Sequence, residues 1–312
     1  MTVQNTKLTA YRGPVFPILT LFRENGDVDI EGIEKYVAYL LDNGVKAVMC
    51  TVGTSRYDVM TLDEMLLVNE VVAKTVNQQA ICIVTTPGFG PTSLAMKFAE
   101  HARNVGADAI LALYPDRYYG DESIINYFRD LSENTDMKIM IHEMAMRAGR
   151  VMEAPSWQYT LPVMEKILGF KNVIGMKEES ADQELIKEIN TNFADEWLVI
   201  GGRGGMGAHL KARAFGQKAY LAGIGNFNPA IEIDFFNALE ANDIKLAETF
   251  INNYEKPFFD VATKIGWHPA LKEAMFLSGC GSRHERKPML RINESDRNRL
   301  KEAMAEIGLI QA

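Results

Sequence analysis

Short apolar runs alternate with amphipathic stretches eight times along the chain, and this alternation limits the fold more than any other feature. The runs are 14–20, 46–52, 80–86, 109–115, 138–144, 172–177, 197–202 and 218–226. Runs this short and this apolar are what strands buried on both faces look like. The stretches between them are 29–43, 62–76, 91–105, 121–133, 159–169, 182–193, 205–215 and 229–241. Each repeats its apolar residues at three- and four-residue spacing, as a helix with one buried stripe must. In the first, Ile33, Val37, Leu40 and Leu41 share that stripe. Pro91 with Thr92 and Ser93 and Asp121 mark helix starts, and Gly44 and Gly106 mark helix ends.

Eight strand–helix units predict an α/β protein built as a parallel (β/α)8 TIM barrel over residues 1–242, its repeats beginning near residue 12. Segments 244–264, 268–279 and 294–307 read as helices, so 243–312 is expected to be a C-terminal helical extension packed on the barrel. A doubly wound open sheet gives the same alternation. Its dinucleotide site needs G-x-G-x-x-G after an early strand, and the first turn, LFRENGDVD, has none. The glycine-rich GGRGGMG at 201–207 follows the seventh strand, a usual place for an anion site in a barrel.

The net charge is −8 with no long basic run, which argues against nucleic acid as a partner. No stretch approaches the roughly 18 apolar residues of a membrane span. The N-terminal MTVQNTKLTAYRG lacks an apolar signal core. Cys50, Cys82 and Cys280 are too scattered for a disulfide framework or a Cys-x-x-Cys metal site. The expectation is a cytoplasmic protein with reduced thiols.

Barrel sites form at the C-terminal ends of strands. The sixth strand ends in Lys177, Glu178 and Glu179. A lysine there is either a desolvated amine able to form an imine with a ketone, or the ion-pair partner of Glu178 or Glu179. The fifth strand ends in His142, either a proton carrier titrating near its ordinary value of about 6.5 or a satisfied core histidine. Arg147 follows in the next loop. The second strand runs into Gly53, Thr54, Ser55 and Arg56, a carboxylate cradle or a plain turn. The fourth runs towards Tyr118 and Tyr119, the latter a candidate proton donor or an aromatic packing at an interface.

At Lys177 the string N-V-I-G-M-K-E-E-S resembles the imine-lysine strand of the dihydrodipicolinate synthase/N-acetylneuraminate lyase family. The resemblance spans residues 12–305. It rests also on G-P-V-F-P-I-L-T-L-F near the start, the 29–45 helix pattern, H-A-R-N-V-G-A-D-A at 101–109, R-A-G at 147–149 and G-I-G-N at 223–226. It implies a pyruvate-type class I aldolase or lyase, with Lys177 forming an imine to a pyruvate-like 2-oxo acid that then reacts with an aldehyde. It implies no cofactor, because the lysine is the electron sink. His142 falls where the family has a tyrosine, Gly53 replaces the relay threonine, Arg56 replaces a glutamate, and Thr54 is kept. The carbonyl of Leu221 lies where the family contacts the pyruvyl group. The Tyr118–Tyr119 loop resembles the segment that crosses between subunits, which implies a homotetramer.

The altered relay points to a divergent member. A Schiff-base sugar-acid dehydratase and a non-catalytic binding or regulatory homologue are the alternatives. Arg56, Arg147 and Arg203 all sit at expected strand ends. They either bind a second anionic group of the substrate or, for Arg56, pair internally with Asp58 or Glu143.

Overall fold

All eight apolar runs form strands, and between successive barrel strands lies at least one helix. The computed structural model describes residues 7–148, 156–203 and 205–311. In chain order the first half contains β1 (Gly13–Pro17), α1 (Ile30–Asp42), β2 (Ala47–Met49), α2 (Leu62–Val76), β3 (Ile81–Thr85), α3 (Thr92–Val105), β4 (Ala109–Ala112), β5 (Arg117–Tyr118) and α4 (Asp121–Glu133). Then come β6 (Lys138–Glu143), β7 (Met146–Ala148), β8 (Ser156–Trp157), α5 (Leu161–Leu168), β9 (Val173–Glu178), α6 (Gln183–Phe193), β10 (Leu198–Gly201), α7 (Gly205–Ala212) and β11 (Ala219–Leu221). The C-terminal part is helical: α8 (Pro229–Glu240), α9 (Ile244–Phe250), α10 (Lys256–Ile265), α11 (Trp267–Leu277) and α12 (Glu294–Glu306).

Hydrogen bonds close the sheet in the order β1-β11-β10-β9-β6-β4-β3-β2, an eight-stranded parallel barrel. This is the TIM-barrel fold. The strands are uniform in burial because the barrel interior takes one face and the helices the other: β1, β3, β4, β9 and β10 are buried at every position. A small sheet stands apart, with β7 parallel to β5 and antiparallel to β8. Its strands are too short to leave a periodic trace in sequence, and they follow the apolar runs 109–115 and 138–144 where a loop is expected.

Two details of β9 place its end. The pairing with β6 shifts by one residue, from Ile139↔Val173 to Met140↔Gly175, so Ile174 is the extra residue of a bulge. Downstream of it Lys177 lies opposite His142 and Glu178 opposite Glu143. Without the extra residue, Lys177 would face Glu143 and point to the other side of the sheet. Gly175 then lets β10 come close: a Cβ there would lie 2.0 Å from the carbonyl oxygen of Leu198.

Within the chain two compact units are distinguished. The first comprises Met1–Gly13, Ile81–Gly204 and Ala208–Leu221. Its buried apolar residues include Phe98, Phe128, Met140, Met164 and Ile200. The second comprises Pro14–Ala80, Gly205–Gly207 and Ala222–Ala312, with Phe16, Tyr36, Phe235, Phe258 and Met275 buried. In it Tyr36 donates to Asn226 Oδ1 at 2.9 Å, and Lys272 donates to the carbonyl of Thr20 at 3.1 Å while lying over the ring of Phe22.

The expected helix 244–264 is helical throughout, with a π-helical segment, Ile251–Glu255, between α9 and α10. Pro257 lies just past it, where a missing N–H and a ring that crowds the carbonyl four residues back disfavour regular α-helical bonding. The expected helix 205–215 ends its α-helical part at Ala212 and continues as a 3-10 turn, Arg213–Phe215.

Gly175→Ala is expected to cost about 1–3 kcal/mol or more, because the added methyl meets backbone rather than a movable side chain. Gly53→Ala, with nothing within 4 Å of its built Cβ, should change stability by less than about 0.5 kcal/mol. Thermal unfolding of the two variants checks the contrast; equal midpoints would refute the close-approach argument.

Candidate functional site

Lys177 is the fifth residue of β9 and is only 3% exposed. Its Nζ lies 3.0 Å from His142 Nε2 and donates to Glu179 Oε2. His142, 5% exposed on β6, has the same Nε2 2.7 Å from that oxygen of Glu179. One carboxylate oxygen thus meets both an amine and an imidazole nitrogen. Glu179 starts the turn after β9, and its backbone N–H donates to the carbonyl of Glu143 at 3.0 Å. Asp182 closes the turn by capping α6, its side chain accepting from Glu184 N at 2.9 Å.

The electrostatics follow from burial. Desolvation, then the nearby charge of Lys177, pushes His142 down to about 4, with Glu179 opposing. Burial works against the charge of Glu179, but its hydrogen bond from His142 and the charge of Lys177 hold it at about 2. At neutral pH the imidazole is therefore uncharged and Glu179 ionised. His142 Nδ1 is buried without a hydrogen-bond partner among the described residues. Placing the proton on Nε2 gives it an ionised acceptor and leaves Nδ1 as a bare acceptor, less costly than a stranded donor. This assignment makes Nε2–H donate to Glu179. The expectation that His142 titrates near its ordinary value is corrected: a charged imidazole cannot be solvated there.

Lys177 is buried, and it is the ion-pair partner of Glu179. Glu179 is the functional residue that sequence reasoning left as a mere counter-ion. Its signal was there, an acid two residues beyond a strand-end lysine, but its contact with His142 depends on the bulge.

The remaining candidates are placed differently. Ser55 is fully buried, donates to the carbonyl of Ile18 and accepts from Val52 N at 3.2 Å, so its hydroxyl holds the loop together. Gly53, Thr54 and Ser55 form one 3-10 turn, in which Gly53 and Thr54 are half-buried. Arg56 adopts a left-handed backbone (φ 62°) and pairs with Glu285 Oε1 at 3.0 Å, both side chains being buried. Its partner is neither Asp58 nor Glu143, and its guanidinium is committed internally rather than offered to a substrate.

Leu221 is the last residue of β11 and half-buried. Tyr119 is 45% exposed and bonds to neither Lys177 nor His142 among the described residues, while Tyr118 is buried and donates to Asp121 Oδ1 at 2.8 Å. Arg147 lies on β7, opposite Arg117 of β5. Its side chain and Gly149 fall outside the described residues.

The glycine-rich segment is a corrected expectation. In the second unit, Met206 N and Gly207 N donate to the two carboxylate oxygens of Glu255 at 2.5 and 2.7 Å. A Cβ on Gly205 would lie 2.3 Å from the same carboxylate. The start of α7 therefore holds an internal carboxyl group, delivered by the last residue of the π-helical segment. Among the described residues no group of three or more His, Cys, Asp or Glu is arranged to hold a metal ion, and no helix is long and apolar enough to cross a membrane.

Residues 10–307 match the model of the dihydrodipicolinate synthetase family. The 4-hydroxy-tetrahydrodipicolinate synthase of Syntrophus aciditrophicus is 27% identical over 304 residues, covering 96% of this chain and 99% of that protein. The crystal structure of dihydrodipicolinate synthase from Aquifex aeolicus superposes with a TM-score of 0.85 at 22% identity, over 97% of this chain and 100% of that one. A prophage protein of the dihydrodipicolinic acid synthase family from E. coli K12, solved in complex with pyruvate, gives 0.84 at 18% identity, over 96% and 99%.

NMR titration of the imidazole should place the His142 midpoint near pH 4, two units or so below its reference value. Glu179→Gln should lower it further, because the carboxylate is what favours the charged ring. A midpoint near 6.5 in the native protein would show the ring to be solvated and the arrangement wrong.

Proposed function

We propose, for a chain that belongs to the dihydrodipicolinate synthetase family, that it is a pyruvate-type class I aldolase or lyase working through an imine on Lys177. The observation that carries this reading is the buried amine that donates to Glu179 and lies 3.0 Å from His142 Nε2. An ammonium must lose a proton before it attacks a ketone, and Glu179, ionised at rest and partly open to water, is the group in contact to pass that proton on to solvent. The free amine adds to the C2 carbonyl of the 2-oxo acid. Proton transfer to the resulting hydroxyl and loss of water give the protonated imine. His142 Nε2–H and Glu179 are the groups placed to move that proton. The imine nitrogen then withdraws electrons, so a C3 proton leaves and the enamine adds to an aldehyde. Cleavage runs the same steps backwards.

The pyruvate complex of the prophage relative supports a pyruvate-like 2-oxo acid as ligand. By the family resemblance, Gly53 and Thr54 receive its carboxylate and the Leu221 carbonyl meets the pyruvyl group; Tyr119 is a candidate proton donor, and Arg147 a candidate binder of a second anionic group on the substrate. Ser55 and Arg56 are the exceptions, being engaged within the protein. The family resemblance supports a homotetramer, and the scattered cysteines support a cytoplasmic location. Light scattering at micromolar concentration reads the assembly, and a monomer alone would overturn that part.

Borohydride with pyruvate should add a stable mass to the peptide containing Lys177 and none in Lys177→Ala. Unchanged labelling in that variant would sink the assignment. His142→Ala should lower turnover by a factor on the order of 10²–10⁴ while imine trapping stays measurable. Full turnover in His142→Ala would make His142 a packing residue.

A further inference from the structure

Behind the site, on the opposite face of the same two strands, lie two carboxylates that the reaction above does not use. Glu143 and Glu178 are register partners on β6 and β9, so their side chains share a face, the one away from His142 and Lys177. They are 0% and 3% exposed. Each receives one backbone donor from the turn after the lysine strand. Glu143 Oε2 accepts from Glu179 N at 3.3 Å, and Glu178 Oε1 from Ser180 N at 2.5 Å. Glu143 Oε1 is buried and has no hydrogen-bond partner among the described residues. A buried ionised carboxylate needs several donors; a carboxylic acid needs fewer. Two such groups side by side repel when both are charged, and a shared proton removes the repulsion.

We propose that Glu143 and Glu178 hold one proton between them at neutral pH and act as positioning residues for the Glu179–Ser180 turn, and through it for the carboxylate that holds Lys177. The surroundings bear this out. Burial first, then the charge of Glu178, raises Glu143 to about 7. Burial raises Glu178 to about 7 as well; Ser180 N–H, Lys177 and Arg203 pull it down, and the charge of Glu179 pushes it up. His142 precedes Glu143 on β6, and Tyr159 faces it from ahead of α5. His209 and Lys211 of α7 line, with Glu178 and Arg203, a cavity of about 300 Å³. The sign follows. Both carboxyls are more basic in the folded chain than their ordinary 4.5, so the folded state holds extra protons between about pH 4.5 and 7. The stability and positioning they give are complete at the acid end and are lost as pH rises through about 7.

The shared proton does not depend on the reaction assigned to Lys177; its effect on the amine rests on that reading. Infrared difference spectra of the whole protein, titrated from about pH 5 to 9, read the proton directly. The expected result is a protonated-carboxyl signal lost with a midpoint near pH 7. In Glu178→Gln the midpoint should move lower, because Glu143 loses a charged neighbour while the amide oxygen still accepts from Ser180. Glu143→Gln should do the same from the other side and serves if the first variant folds poorly. Borohydride trapping with pyruvate, run at the same pH values, reads the turn. Above about pH 8, Glu178→Gln should trap roughly threefold or more faster than the native protein, and near pH 6 the two should agree. Absence of a titrating carboxyl signal, or a midpoint unmoved in both variants, overturns the shared proton. Trapping with one pH profile in native and variant proteins overturns the positioning role. A titrating signal that moves as expected in a protein that traps nothing supports the shared proton and removes the imine reading instead.

Discussion

A charged amine buried at the end of a barrel strand needs a counter-charge at once, and the geometry around β9 is arranged about that need. Lys177 is nearly enclosed, and Glu179 answers it from two residues further along the same chain. Removing one partner of a buried pair costs about 3–5 kcal/mol. Glu179 is 35% exposed, so water screens part of this. The strand supplies depth, the turn supplies charge, and the bulge at Ile174 decides which neighbour the amine meets. Change the register by one residue and the amine would face Glu143 rather than an imidazole. The pair also explains how a histidine is accommodated in a place too dry to charge it. His142 gives its one proton to an acceptor that stays ionised, and remains neutral.

The repeated strand–helix pattern showed the architecture because periodicity is a property of many residues together. All eight barrel strands and the helices between them formed where the apolar runs and stripes lay. What stayed hidden depends on single contacts. The sheet of β5, β7 and β8 has strands of two or three residues, below the length at which alternation is visible. The partner of Arg56 lies 229 residues away in sequence, so local reading offered only the nearby acids. Lys177 and His142 were legible because strand ends in a barrel are a small set of positions. Glu179 was seen and undervalued, since the register shift that brings it to the imidazole leaves no mark in composition.

The start of α7 shows how a general rule can hold while its usual consequence fails. Helix N-termini attract anions through unpaired backbone N–H groups. Here the turn does expose such groups, on Met206 and Gly207, and they meet the protein's own Glu255. Burial, reinforced by the charge of Glu232, raises that carboxyl to about 8, so the contact is close to a neutral one at physiological pH. Glu255 is the last residue of the π-helical turn, two residues before Pro257.

The Arg56–Glu285 pair has a consequence for biosynthesis. The strand-end turn that carries Arg56 is made early, and its buried guanidinium has no counter-charge until Glu285 has left the ribosome. At about 5–20 residues per second the intervening 229 residues take roughly 10–45 s. The same holds for the whole compact unit, which joins Pro14–Ala80 to Ala222–Ala312. Its first-made strands wait for its last-made helices, whereas Ile81–Gly204 lies between them and can begin packing first. A nascent chain of this kind holds Pro14–Ala80 unfinished while the segment that follows it is being made.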